Sequence, residues 1–159
     1  MKLQKNPSDW SCLATSFAMV LDMPVLDLLE RLGHDGSEIV WPMLSDPHSR
    51  RSFHIQEMID LCWDMDKLVV MFQTKPCSAP YPHIEPFDVP MKFTPEERFK
   101  KLIHSPGVFT GSTNKGVGHA VAWDGKKVYD PKGKVYSDFR EAKFLIETFW
   151  AVIDSPVRR

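Results

Sequence analysis

GHAVAWDGKKVYDPKG, residues 118 to 133, reads as two short strands joined by a turn. Asp124-Gly125 marks the turn, because a two-residue hairpin loop needs positive φ at both central positions and Asp-Gly tolerates it. With those residues at the turn, Trp123 faces Lys126, Val121 faces Val128 and His119 faces Asp130. Side chains alternate along a strand, so His119 and Asp130 share a face with Val121, Trp123 and Val128. Opposed residues carry Cβ atoms about 4.5–5.5 Å apart, within reach of an imidazole–carboxylate hydrogen bond. The carboxylate would fix the ring tautomer and favour the imidazolium. A four-residue turn would instead bring Asp130 opposite Val121. On the other face, Gly118, Ala120 and Ala122 are small enough to let another element approach closely.

Other strands surround this hairpin. GVFTGS (residues 107–112) precedes it and TFWAVID (148–154) follows, with a short helix near Asp138 to Leu145 between them. KLVVMFQ, Lys67 to Gln73, is rich in β-formers and reads as a short buried strand. The front of the chain is helical. A first helix from Ser11 to Met23 carries Leu13, Phe17, Val20 and Leu21 at helical spacing, with Asp9 or Ser11 as its cap. Pro24 breaks it and opens a second, whose face is Val25, Leu28, Leu29 and Leu32 and whose stop is Gly33. Residues 34–51 read as a long surface loop covering one side of a cleft. A third helix spans Phe53 to Asp64, with Ile55, Met58, Ile59 and Cys62 inward. Residues 74–93, with five prolines, form an irregular connector, and Thr94-Pro95-Glu96-Glu97 opens a fourth helix through a capping box. Helices in front and strands behind predict an α+β domain spanning residues 1–159.

The totals exclude several classes. The chain has 159 residues, 43% hydrophobic and 26% charged, with a net charge of -1. That balance offers no electrostatic case for nucleic acid or an anionic membrane, and Arg50-Arg51 and Lys100-Lys101 read as solvated surface. No apolar run approaches a membrane span, and MKLQKNPSDW lacks the apolar middle of a secretory signal. The expected location is cytoplasmic. Three cysteines, Cys12, Cys62 and Cys77, make no disulfide framework, and no metal-ligand spacing is present. No metal and no organic cofactor is expected. Trp41, Trp63, Trp123 and Trp150 read as packing residues, and Trp10 as cleft wall or core.

Cys12 sits at a helix start, where unfilled N–H groups favour negative charge. A thiolate is the nucleophile, and a neighbouring imidazolium favours it. A cysteine at a helix mouth and a histidine braced by an acid are the parts of an activated thiol nucleophile.

SCLATSFAMVL (11–21), GHAVAWDG (118–125) and KVYDPKG (127–133), in this order, resemble the papain-like cysteine peptidases. They are most similar to the small bacterial and phage branch that includes the bacteriocin-leader peptidase domains. The resemblance covers about a third of the chain and implies a papain-like fold, an N-terminal helical half packed on a C-terminal antiparallel sheet. It implies Cys12 as nucleophile, His119 as general base and acid, and Asp130 as the orienting residue, acting on a peptide or protein substrate. Two positions depart from the family. Leu13 stands where glycine usually follows the nucleophile, a bulk expected to narrow access to Cys12. Asn6 stands where a glutamine usually binds the oxyanion, with Gln4 two residues before it, so either amide is a candidate donor. Two further readings remain open: a catalytically silent domain that binds protein or peptide in the same cleft, and an acyl-transferring or deamidating enzyme.

Overall fold

In the computed structural model, residues 1–37, 52–73, 95–113, 115–137, 139–142 and 145–156 are described. Cys77, the 74–93 connector, Thr94, Trp41 and most of the 34–51 loop lie outside them. Among the described residues, a six-stranded antiparallel sheet runs β1 (Lys67–Gln73), β6 (Leu145–Asp154), β2 (Gly107–Ser112), β3 (Gly118–Trp123), β4 (Val128–Asp130) and β5 (Lys134–Tyr136) across its width. The helices are α1 (Cys12–Val20), α2 (Val25–Leu32), α3 (Ile55–Asp64) and α4 (Pro95–Leu102), with one 3-10 turn, η1 (Phe139–Ala142). The fold is therefore α+β, as expected.

Each sheet face carries its own core, as strand alternation dictates. Val108, Ala120 and Val152 face α1, α2 and α3, meeting Phe17, Ala18, Leu28, Met58 and Cys62. Phe109, Val121, Trp123, Val128, Phe149 and Ala151 face the other way, against Phe99, Leu102 and Ile103 of α4 and its exit. Five aromatic rings, from Phe72, Phe99, Phe109, Trp123 and Phe149, meet on this second face at centroid distances of 4.7 to 6.4 Å. The helices are thus not confined to one side. Three form the outer layer of one face, and α4 covers part of the other.

Several expectations need correction. The first helix ends at Val20, short of Met23, and its core contact is not a stripe. Residues 14 to 19 are all buried, because α1 is sandwiched between β3, β2 and the other helices. Leu13, Val20 and Leu21 are only partly buried. Neither Asp9 nor Ser11 caps α1: Ser11 occupies the cap position but its hydroxyl turns back to the carbonyl of Ser8 at 2.8 Å. Strand β1 is not a buried central strand. It lies at the sheet edge beside β6, and Leu68 and Met71 are exposed. Trp63 is 53% exposed and packs little.

The hairpin takes the wider turn. Trp123 pairs with Val128 and Ala122 with Tyr129, so Asp124 to Lys127 form a four-residue loop. Asp124 holds it by accepting from the backbone N–H groups of Lys126 and Lys127 at 2.8 and 2.7 Å, and from the Tyr129 hydroxyl at 2.9 Å. Those three bonds outweigh the intrinsic preference of Asp-Gly for a two-residue turn. Asp130 is consequently not opposite His119. Strand β5 continues from β4 through a tight turn, Asp130 pairing with Lys134.

Candidate active site

Cys12 and His119 line one open cleft of about 530 Å³, together with Asn6, Asp9, Thr113, Lys115, Val117, Gly118 and Lys132. The local structure explains each placement. Cys12 is the first residue of α1, and α1 packs over β3 because Ala14 and Ala18 meet Ala120. No side chain caps the helix, so its first-turn amides keep their capacity for an anion. His119 is the second residue of β3, next to Gly118, beside which a Cβ would meet no atom within 4 Å. Alternation puts His119 on the face of Val121 and Trp123, whereas α1 lies against the Ala120 face. Cys12, packed on the helical-side core, reaches the ring at the start of β3.

The imidazole is held between two partners. Its Nε2–H donates to Oδ1 of Asp130 at 3.2 Å, and the Cys12 side chain interacts with the ring. His119 is 8% exposed and Asp130 5%. The register correction makes this a diagonal contact: Asp130 lies beside Val121, and His119 is two residues back on the same face, a distance long side chains span.

The turn after β4 fixes the carboxylate. Asp130 Oδ1 accepts the N–H of Lys132 at 2.9 Å, and Gly133 N–H closes onto the Asp130 carbonyl at 2.9 Å. Gly133 has φ +93, in the left-handed region, and Lys5 packs where a Cβ would sit, so the tight turn needs glycine here.

Burial opposes charge on His119, but the hydrogen bonds to Asp130 and Cys12 outweigh it and raise its pKa to about 9. Burial likewise pushes Asp130 up, yet the His119 bond and the Lys132 N–H hold its carboxyl below the ordinary value. The two shifts describe an imidazolium–carboxylate pair at neutral pH.

The two amide candidates separate. Gln4 is engaged elsewhere: its Nε2 donates to the Met23 carbonyl at 2.7 Å and its Oε1 accepts from Val25 N–H at 2.8 Å. It staples the α1–α2 corner at the far end of α1 and is no oxyanion donor. Asn6 does line the cleft beside Cys12, brought there by its backbone N–H, which donates to the Pro131 carbonyl at 3.0 Å. Its Oδ1 is buried without a hydrogen-bond partner among the described residues. Leu13 is not a wall of the cleft; it is partly buried against the helical core. The expected narrowing at Cys12 is absent because the helix turns that side chain inward.

Asp9 lies on the cleft wall, exposed, rather than capping the helix. Trp10 anchors through Nε1–H to the Asp35 carbonyl at 3.0 Å and packs on the helical core. Cys62 is buried in that core and burial pushes its thiol up to about 12, which leaves it unreactive. The lysines and Thr113 on the cleft wall escaped the sequence reading, since nothing in their spacing ties them to Cys12. Among the described residues no group of three His, Cys, Asp or Glu side chains could hold a metal, and no single helix is long and apolar enough to cross a membrane. The chain matches no protein-family model and no curated protein.

Proposed function

We propose that this chain is a thiol hydrolase of papain-like type that cleaves a peptide or related amide bond. The observation that carries the reading is that Cys12 and His119 line one open cleft, with the His119 ring bonded to the buried Asp130 behind it. Asp130 holds the ring by Nε2. His119 already carries a proton, and the Cys12 sulfur adds to the substrate carbonyl as the thiolate partner of that imidazolium. The imidazolium then passes that proton to the leaving amine as the C–N bond breaks, giving an acyl-enzyme. His119 next takes a proton from water, whose oxygen attacks the thioester and releases acid and thiol. The developing oxyanion lies within reach of the Asn6 amide and the backbone N–H of Cys12.

Alkylation by iodoacetamide, followed residue by residue in mass spectra, tests the nucleophile. Cys12 is expected to react far faster than the buried Cys62. Comparison with His119→Ala assigns the activation to the imidazole. Turnover of a peptide library by wild type and Cys12→Ala then tests the chemistry, and added amine separates transfer from hydrolysis. Equal turnover by both proteins would refute the assignment.

A further inference from the structure

The cleft is lined by separate segments. Asn6, Asp9 and Cys12 come from the N-terminal segment and α1, whereas Lys115, Val117 and Lys132 come from connections of the sheet. Lys115 stands in the β2–β3 loop and Lys132 in the turn after β4, so two separate connections each bring a cation to the lining. Both lysines are exposed, and neither ammonium has an ion pair among the described residues. Lys67, by contrast, is neutralised by Asp154. The chain as a whole is slightly acidic, at -1, yet the cleft lining holds Lys115 and Lys132 against the single carboxylate of Asp9, with the Lys132 charge also acting on Asp130. An excess of one sign of charge in a cleft between protein surfaces focuses the field on whatever enters. Val117, 60% exposed between these elements, adds an apolar surface that a substrate can cover.

We propose that Lys115 and Lys132 select substrates bearing a carboxylate next to the bond that Cys12 attacks, the inference resting on the reading of Cys12 as nucleophile. An ammonium acts on a carboxylate as a point charge, without the paired geometry an arginine would impose. The recognition therefore tolerates a shift of the carboxylate along the lining, and it is sensitive to salt. Asp9, also in the lining, disfavours a carboxylate placed beside it.

Two alkylating agents of nearly equal size and opposite character read this directly: iodoacetate, an anion, and iodoacetamide, neutral. The quantity is the ratio of their rates at Cys12 within each protein. His119 contributes to that ratio in every variant; because Lys132 also acts on its partner Asp130, Lys115→Gln is the arm that isolates a lysine. Replacing either lysine by glutamine is expected to lower the ratio by about 1.5- to 5-fold, the range for an exposed charge pair, and the double replacement more. Ionic strength well above physiological should erase the difference between wild type and the double variant, because the screening length then falls to a few Å. Far-UV circular dichroism checks that each variant is folded. A ratio that Lys115→Gln, Lys132→Gln and their combination leave unchanged overturns the proposal. The ratio remains measurable for a sluggish thiol: a slow reaction with iodoacetamide counts against the nucleophile, and an unchanged ratio counts against the lysines alone.

Protection experiments then locate the carboxylate. A peptide with an internal glutamate and an amidated C-terminus is compared with its glutamine counterpart carrying a free C-terminal carboxylate. Protection of Cys12 from iodoacetamide by the first assigns the lysines to acidic side chains, and by the second to chain ends. Failure of both at millimolar concentration refutes the selection.

Discussion

Asp130 uses one carboxylate oxygen twice, accepting from His119 Nε2–H and from the N–H of Lys132. The second bond leaves the carboxylate no freedom to swing away, so the imidazole inherits a fixed orientation. Because burial alone would depress His119, removing either hydrogen-bonding partner should lower its pKa from about 9. NMR titration of the ring in Asp130→Asn and in Cys12→Ala measures this, and a pKa unmoved in both would break the chain of contacts. The alkaline limb of activity should fall as pH rises through about 9, where the imidazolium that protonates the leaving amine is lost. The two amides give an opposed pair of outcomes. Asn6→Ala should cut turnover about 100- to 1,000-fold, as loss of one oxyanion donor does, while leaving urea stability nearly unchanged, since its Oδ1 has no partner to lose. Gln4→Ala should do the reverse. It orphans the Met23 carbonyl and Val25 N–H and costs about 1–3 kcal/mol of stability. The sequence could not separate these two amides: both stand near Cys12 along the chain, and only the path of the N-terminal segment carries one into the cleft and the other to the far corner.

At the scale of elements, the hairpin shows how a wrong register can leave a site intact. The pair of strands was legible from Asp124-Gly125 and the alternation around it. The loop length was not, because it depends on the Asp124 carboxylate gathering two N–H groups and the Tyr129 hydroxyl. A two-residue error in pairing moves both partners but keeps their face, so His119 still finds Asp130, diagonally. Strand β5 was missed since three residues after a turn carry no period to read. The edge position of β1 was equally hidden: its composition suits a central strand, and its neighbour β6 lies more than seventy residues away. Burial around α1 defeated the stripe reading, because a helix pressed from several sides has no solvent face to reveal its period. The β2–β6 pairing yields a sharp test. Its register shifts between Thr110 and Gly111, and a Cβ on Gly111 would lie 1.8 Å from the Leu145 carbonyl oxygen. Since the obstacle is backbone, Gly111→Ala should destabilise by roughly 1–3 kcal/mol or more, read as a lower urea midpoint. An unaltered midpoint would argue against the bulge.

For the whole molecule, the consequence of this arrangement is that one titratable pair links the stability of the fold to its chemistry. Three separated segments meet there: the N-terminal strand of chain through Asn6, the start of α1, and the β3–β4 pair. Cys12 packs on the helical-side core, while His119, Asp130 and the Lys132 N–H are joined by polar contacts. Their pH dependence has a definite sign. His119 binds its proton more tightly when folded, about 9 against 6.5, so its contribution is complete below about pH 6.5 and is lost as pH rises through 9. Asp130 binds its proton less tightly when folded, so its contribution is complete above the ordinary carboxyl range and is lost as pH falls through its depressed value. Urea stability should therefore be greatest between these limits and decline by on the order of 2–3 kcal/mol between pH 6 and 9.5, the size set by the His119 shift at about 1.4 kcal/mol per pH unit. Asp130→Asn should flatten that decline, because the native ring then titrates closer to the unfolded one. His119→Ala should abolish it. If wild type and His119→Ala lose stability in parallel over this range, the corner is held by something other than the imidazolium, and the proposed proton carrier would be neutral where the mechanism needs it charged.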